Sequence, residues 1–205
     1  MRRRKCPPEL RAAYNAALPR VTGFFSALGQ DPALYAQYRR LADEADAQGL
    51  DPLRRRIVDH ALRDFRLGGA ALGDADKARF AAVRQELASL GATFSEHVLD
   101  ATDAYTLQID DEARLAGLPA DVVANARAAS QARGHAGWTL TLQMPCYLPV
   151  QTYAEDRDLR ETLYRAYGLR ASEAGPAELD NGPLIARILA LRAEQAALLG
   201  FANYA

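Results

Sequence analysis

WTLTLQMPCYLPVQTY, residues 138–153, is the least helical stretch of this 205-residue chain. Thr139, Thr141 and Gln143 alternate with Leu140, Leu142 and Met144, a period of two that predicts a half-buried strand. Pro145 removes a ladder donor and Pro149 repeats the interruption. The expectation is a strand, then an extended, proline-stiffened run presenting Tyr147 and Tyr153, with helices packed around the whole. Residues 105–109 (YTLQI) also alternate and are predicted to pair with 139–144 as a two-stranded ribbon. Such a ribbon is marginal alone and needs helices to hold it.

Outside this stretch the apolar spacing is helical. Leu10, Tyr14, Leu18, Val21, Phe25 and Leu28 recur in steps of three and four, with Pro19 expected to bend or split their helix. Asp31-Pro32 and Asp51-Pro52 each read as an N-cap followed by a first-turn proline. Leu34, Tyr38, Leu41 and Ala45 make the inner face of the first of these helices, and Leu53, Ile57, Ala61 and Phe65 that of the second. The longest helix is predicted over 74–100, along Phe80, Val83, Leu87, Leu90, Phe94 and His97, with close packing at Gly91. Further helices are expected over 119–133, 156–172 and 181–198, the last capped by Asn181. The fold class is therefore mainly α: about seven helices packed with one small two-stranded β-ribbon, residues 1–205 forming a single helical domain.

Composition excludes several functions. Hydrophobic residues make up 49% and charged residues 25%, which supports a core, and the net charge of −1 gives no field directed at nucleic acid or an anionic membrane. The clusters at Arg2–Arg4 and Arg54–Arg56 are short, and the latter wraps around its helix. No run of about 18 apolar residues suggests a membrane span, and the basic start is not followed by an apolar signal core. Cys6 and Cys146 are too few for a disulfide scaffold and read as free thiols in a reducing cytosol.

No self-contained catalytic motif is present. The histidines, His60, His97 and His135, lack the four-residue spacing of His-Glu-x-x-His; Glu96-His97 has no second histidine nearby. His97 continues an apolar seam and reads as a packed, hydrogen-bonded side chain. Cys146 has no neighbouring base and reads as a buried inert thiol. Tyr147, Tyr153, Tyr164 and Tyr167 offer aromatic contacts to a peptide, and core packing accounts for them equally well.

Five blocks nevertheless form a familiar series: LDAT (99–102), DEARLAGLP (111–119), LTLQMPCYLPVQTY (140–153), LRETLYRAYGLRAS (159–172) and LGFANYA (199–205). Over about residues 9–205 the chain resembles the oligopeptidase A-like zinc metallopeptidases of the thimet oligopeptidase and neurolysin family. The resemblance implies an elongated, mainly α-helical enzyme with a deep narrow channel, cleaving short peptides with zinc held by His-Glu-x-x-His and a further glutamate. That motif is absent here, so no catalytic residue and no metal ligand carries over, and no zinc is expected in this chain. The chain resembles the N-terminal, non-catalytic part of such a cytoplasmic enzyme. Its start, MRRRKCPP, departs from the family's usual beginning, and its end at Ala205 reads as an interruption.

On this basis the chain is expected to contribute to the wall of a peptide channel, with Tyr147 and Tyr153 as candidate lining residues. Buried packing of the same run is the competing reading. The alternative of another class is a stand-alone helical partner-binding module with no enzymatic role. An independent zinc hydrolase would require His60, His97 and His135 to converge. Self-association is expected through the surface a catalytic lobe would cover.

Overall fold

A computed structural model describes residues 7–49 and 51–205. Its elements, in order, are α1 (Pro8–Gly29), α2 (Pro32–Gln48), α3 (Pro52–Leu67), α4 (Asp74–Ala104), β1 (Thr106–Ile109), α5 (Ala120–Gln131), β2 (Trp138–Thr141), α6 (Met144–Tyr153), α7 (Arg157–Gly168) and α8 (Gly182–Leu198). Short 3-10 turns occupy Glu112–Leu115 and Ala177–Leu179. The fold is mainly α, as predicted, with eight α-helices and one antiparallel ribbon among the described residues.

The chain divides into two compact units, one of residues 1–92 and 184–205, the other of Thr93–Pro183. In the first, both predicted Asp-Pro starts are real. Asp31 accepts from the amides of Ala33 and Leu34 at 2.8 and 2.9 Å, and Asp51 from Leu53 at 3.0 Å. Each cap satisfies amides that a helix start leaves without partners. Ala42, Val58 and Leu62 form a core between α2 and α3, with Tyr35 and Tyr38 against it; the side chain of Ala45 lies outside the described residues. Phe80 and Val83 of α4 and Leu191 of α8 are fully buried, and Arg79–Glu194 (2.7 Å) and Arg187–Glu86 (2.8 Å) tie those helices together by paired hydrogen bonds.

Several expectations fail in this unit: Leu41 of α2 and Leu53 and Ile57 of α3, placed on inner faces by their spacing, are exposed, and Ala42, Val58 and Leu62 fill the contact between the two helices instead. α1 is not split at Pro19, which lies inside one helix from Pro8 to Gly29. Its apolar residues Leu10, Tyr14, Val21, Phe24, Phe25 and Leu28 are exposed, leaving Ser26 as its buried side chain. Gly91 is also exposed, and a Cβ there would meet nothing within 4 Å, so the predicted close packing is absent.

The second unit holds the ribbon. Thr106 pairs with Thr141, and Ile109 with Trp138. Ile109, Leu115, Ala126, Trp138, Leu140, Leu142, Val150, Ala154, Leu159 and Leu163 form one core around it. Trp138, Thr139 and Leu140 are all buried, so both faces of β2 are covered rather than one. Thr139 tolerates burial because its hydroxyl donates to Gln108 Oε1 at 3.0 Å.

The principal correction lies directly after β2. Residues 144–153 are a helix, not an extended run, and this is the eighth helix the spacing did not predict. Pro145 sits in the first turn, where its missing N–H has no helical partner to lose. Gln143, in an extended conformation (φ −68°, ψ 137°), delivers the chain into that turn. Pro149 lies inside the helix, which costs about 3 kcal/mol. Full burial of Val150, and the packing of Cys146 and Tyr147 against the core, offset it.

Candidate functional site

The predicted channel-lining residues both lie on α6, so helical geometry sets where they point. The ring of Tyr147 stacks on that of Tyr167 from α7, centroids 4.0 Å apart and planes 15° apart. The Arg170 guanidinium lies 3.5 Å over the other partner of that stack, the Tyr167 ring, and donates to Thr102 Oγ1 (2.8 Å) and to the Tyr167 carbonyl (2.8 Å). A cation over an aromatic face is attracted by the ring quadrupole. The Tyr167 hydroxyl reaches Met144 Sδ at 3.5 Å. Met144, Leu148 and Tyr164 are exposed around this platform. Burial, then the neighbouring Tyr167 and Tyr164, push the Tyr147 phenol above its ordinary range.

Tyr153, at the end of α6, is 54% exposed and makes no part of that stack. What fixes its position is backbone: the Glu155 amide donates to the Ala116 carbonyl at 2.9 Å. Gly117 (φ +83°) lies so close that a Cβ there would collide with the Tyr153 carbonyl, so this junction requires glycine. α6 is held against α7 by Gln151, whose amide donates to the Arg160 carbonyl at 2.9 Å. α7 itself starts on Asp156, which accepts from the Leu159 amide at 3.0 Å and from Arg114 at 2.7 Å. Those two donors hold its carboxyl below the usual carboxylate range.

Cys146 is a free thiol on the inner side of α6. The Thr141 amide donates to its sulfur at 3.3 Å, and burial raises its pKa. That is the reverse of what a nucleophilic cysteine needs. Cys6 and Arg2–Arg4 lie outside the described residues.

The histidines have separate, ordinary environments. His60 is exposed on α3 of the first unit, and His135 is exposed in the Gly134–Gly137 turn of the second. His97 joins its Nδ1 to Asn181 Oδ1 at 2.9 Å, while Asn181 Nδ2 donates to the Phe94 carbonyl. The predicted cap of α8 is thereby diverted: Asn181 is buried as a partner for α4, and Asp180 accepts from the Gly182 amide instead. Among the described residues, no three His, Cys, Asp or Glu side chains form a group able to hold a metal ion. The donor set does not fit a zinc centre.

Residues 3–77 match the N-terminal domain of neurolysin and thimet oligopeptidase, and residues 150–205 match peptidase family M3. Oligopeptidase A of Salmonella typhimurium is 45% identical over 203 residues, covering 98% of this chain and 30% of that protein. This chain corresponds to the N-terminal portion of an oligopeptidase A-type peptidase of family M3. The oligopeptidase A of Escherichia coli is 44% identical over the same length, with the same coverage. The probable cytosolic oligopeptidase A of Arabidopsis thaliana is 38% identical over 208 residues. The chain spans about 30% of the length of these curated relatives. No helix among the described residues is long and apolar enough to cross a membrane.

What the sequence missed is the pairing of Tyr147 with Tyr167. Read as a helix, residues 144–153 place Met144, Tyr147, Leu148 and Gln151 at steps of three and four. That signal was overridden by two prolines, one of which occupies a position where proline suits a helix.

Proposed function

We propose that this chain serves as the non-catalytic helical part of an oligopeptidase A-like zinc metalloendopeptidase that cleaves short peptides in the cytoplasm. Its role is to shape the substrate channel, with residues 1–205 acting as scaffold. One observation carries this reading: nearly the whole chain aligns with oligopeptidase A at 45% identity, yet the sequence holds no His-Glu-x-x-His. A narrow channel admits an unfolded short peptide and sterically rejects a folded protein, so selection by size needs no specific contact.

Tyr147 and Tyr153 are the proposed lining residues. Support comes from the exposed Met144, Leu148, Tyr153 and Tyr164 beside the stacked Tyr147 and Tyr167. Rigid aromatic surface of this kind binds extended peptides at low entropic cost. Zinc and its ligands belong, in this reading, to sequence beyond the region matched here.

Reading the genomic sequence downstream of codon 205 tests the proposal. A His-Glu-x-x-His in any frame supports it; unrelated sequence favours a stand-alone partner-binding module. In an enzyme containing this region, Tyr147→Ala is expected to raise KM for peptides, and unchanged kinetics would count against the lining role.

A further inference from the structure

Beside the tyrosine platform, α6 and α7 enclose an open concavity of about 560 Å³, lined by Gln151, Arg157, Arg160, Glu161, Tyr164 and Arg165. Its lining holds three arginines and one carboxylate. That carboxylate is occupied: Glu161 accepts from Arg165 Nε at 2.8 Å. Arg160 is fixed in place, its Nη1 donating to the carbonyls of Ala154 and Glu155. The Arg157 side chain has no hydrogen-bond or ion-pair partner among the described residues. The result is one unpaired guanidinium beside a second that is positioned by backbone, on a wall that continues through the 65% exposed Tyr164 ring.

A planar, always-charged fork of N–H donors matches a carboxylate in shape as well as charge. Phosphate would match it too, but Tyr164 on the same wall offers an exposed ring face against which the body of a peptide can lie. We propose that this concavity is a carboxylate-binding site, in which Arg157, backed by Arg160, recognises a carboxylate of a peptide lying across Tyr164. The inference rests on the reading that this chain handles peptides, and it adds a chemical preference where a channel wall supplies only size selection. The carboxylate comes either from a peptide C-terminus or from an acidic side chain, and both sources have the same chemistry at Arg157.

The test measures binding of short N-acetylated peptides of one apolar sequence to the full 205-residue chain by calorimetry at low salt. One peptide ends in a free acid, one in an amide, and one in an amide with an internal glutamate. At least one carboxylate-bearing peptide is expected to bind about tenfold more tightly than the neutral amide, the worth of one charge-assisted contact. Preference for the free acid alone assigns the C-terminus, and preference for the glutamate peptide assigns the side chain. Arg157→Ala is expected to abolish the preference and Arg157→Lys to restore part of it. Arg63→Ala, which removes an arginine paired with Asp64 in the other unit, is expected to leave it intact.

Equal binding of acid and amide overturns the inference while leaving the channel-wall reading standing. So does a preference that survives Arg157→Ala. Failure of every peptide to bind overturns it as well, and the downstream sequence then decides the broader reading separately.

Discussion

Tyr147 lies flat on Tyr167, their rings 4.0 Å apart, so the residue proposed to face a peptide also fastens α6 to α7. Removing it should therefore affect stability as well as binding. Tyr147→Ala is expected to destabilise the second unit by about 1–3 kcal/mol, the stacking itself accounting for roughly 0.5–1.5 of that. A double-mutant cycle with Tyr167→Leu, read by denaturant unfolding, isolates the stacking. Additive effects would mean that the two rings do not support one another.

The same ring carries a pH signature. Its phenol is raised in the folded state, first by burial and then by Tyr167 and Tyr164. A raised tyrosine pKa means the folded chain holds its proton longer than the unfolded one. The associated stability is complete below the unfolded value of about 10 and is lost as pH rises through the folded value. Ultraviolet titration of the folded chain should show Tyr147 ionising late together with Tyr105, which burial also raises, and Tyr147→Phe should reduce the amplitude of that late phase by one tyrosine.

Asp156 behaves in the opposite sense. The Leu159 amide and Arg114 hold its carboxyl low, so its contribution is present above the unfolded value of about 4 and is lost as pH falls through the folded value. Asp156→Ala is expected to cost about 1 kcal/mol at neutral pH as a lost N-cap. It should also flatten the acid limb of the stability profile. An unchanged acid limb in denaturant melts at successive pH values would count against this assignment.

Cys146 is predicted to be slow to react. Its thiol is raised by burial and its sulfur accepts the Thr141 amide. In a Cys6→Ser background, a disulfide reagent at mildly alkaline pH should label Cys146 far more slowly in the native chain than in denaturant. Fast native labelling would show an accessible thiolate.

The exposed residues of α1 set an expectation about solution state. Leu10, Tyr14, Val21, Phe24, Phe25 and Leu28 are exposed on one helix, and Leu53 (76% exposed) and Ile57 are exposed on α3. Apolar area of this extent drives association. The purified chain should self-associate in light scattering, and Phe24→Ser with Phe25→Ser should weaken that. A monodisperse monomer at high concentration would contradict it.

Much of this architecture was readable from residue order because local signals agreed with the tertiary outcome. Asp31-Pro32 and Asp51-Pro52 start helices by capping chemistry that needs no distant partner. The alternation at 105–109 and 139–144 specified the ribbon, though the second strand ends at Thr141 and Met144 already begins α6. The reading failed where long-range packing overrode local preference. Pro149 argues against a helix, and only the burial of Val150 in a core assembled from distant segments offsets it. The same limit applied to α1. Its periodicity announces an apolar face, but periodicity cannot say whether that face is covered within the chain.

The site followed the same division. Aromaticity marks Tyr147 and Tyr153 in the sequence, but the stack depends on α6 meeting α7, and the arginine over it on Arg170 reaching Thr102 of α4. His97 was legible as a packed side chain because it sits on a seam, though its partner Asn181 was read as a cap.

Incubating the purified chain with zinc and a short peptide, followed by mass spectrometry of the products, decides whether these residues alone support hydrolysis. The peptide is expected to be recovered intact, since no three His, Cys, Asp or Glu side chains among the described residues form a group able to hold the metal. Cleavage that a chelator abolishes would contradict it.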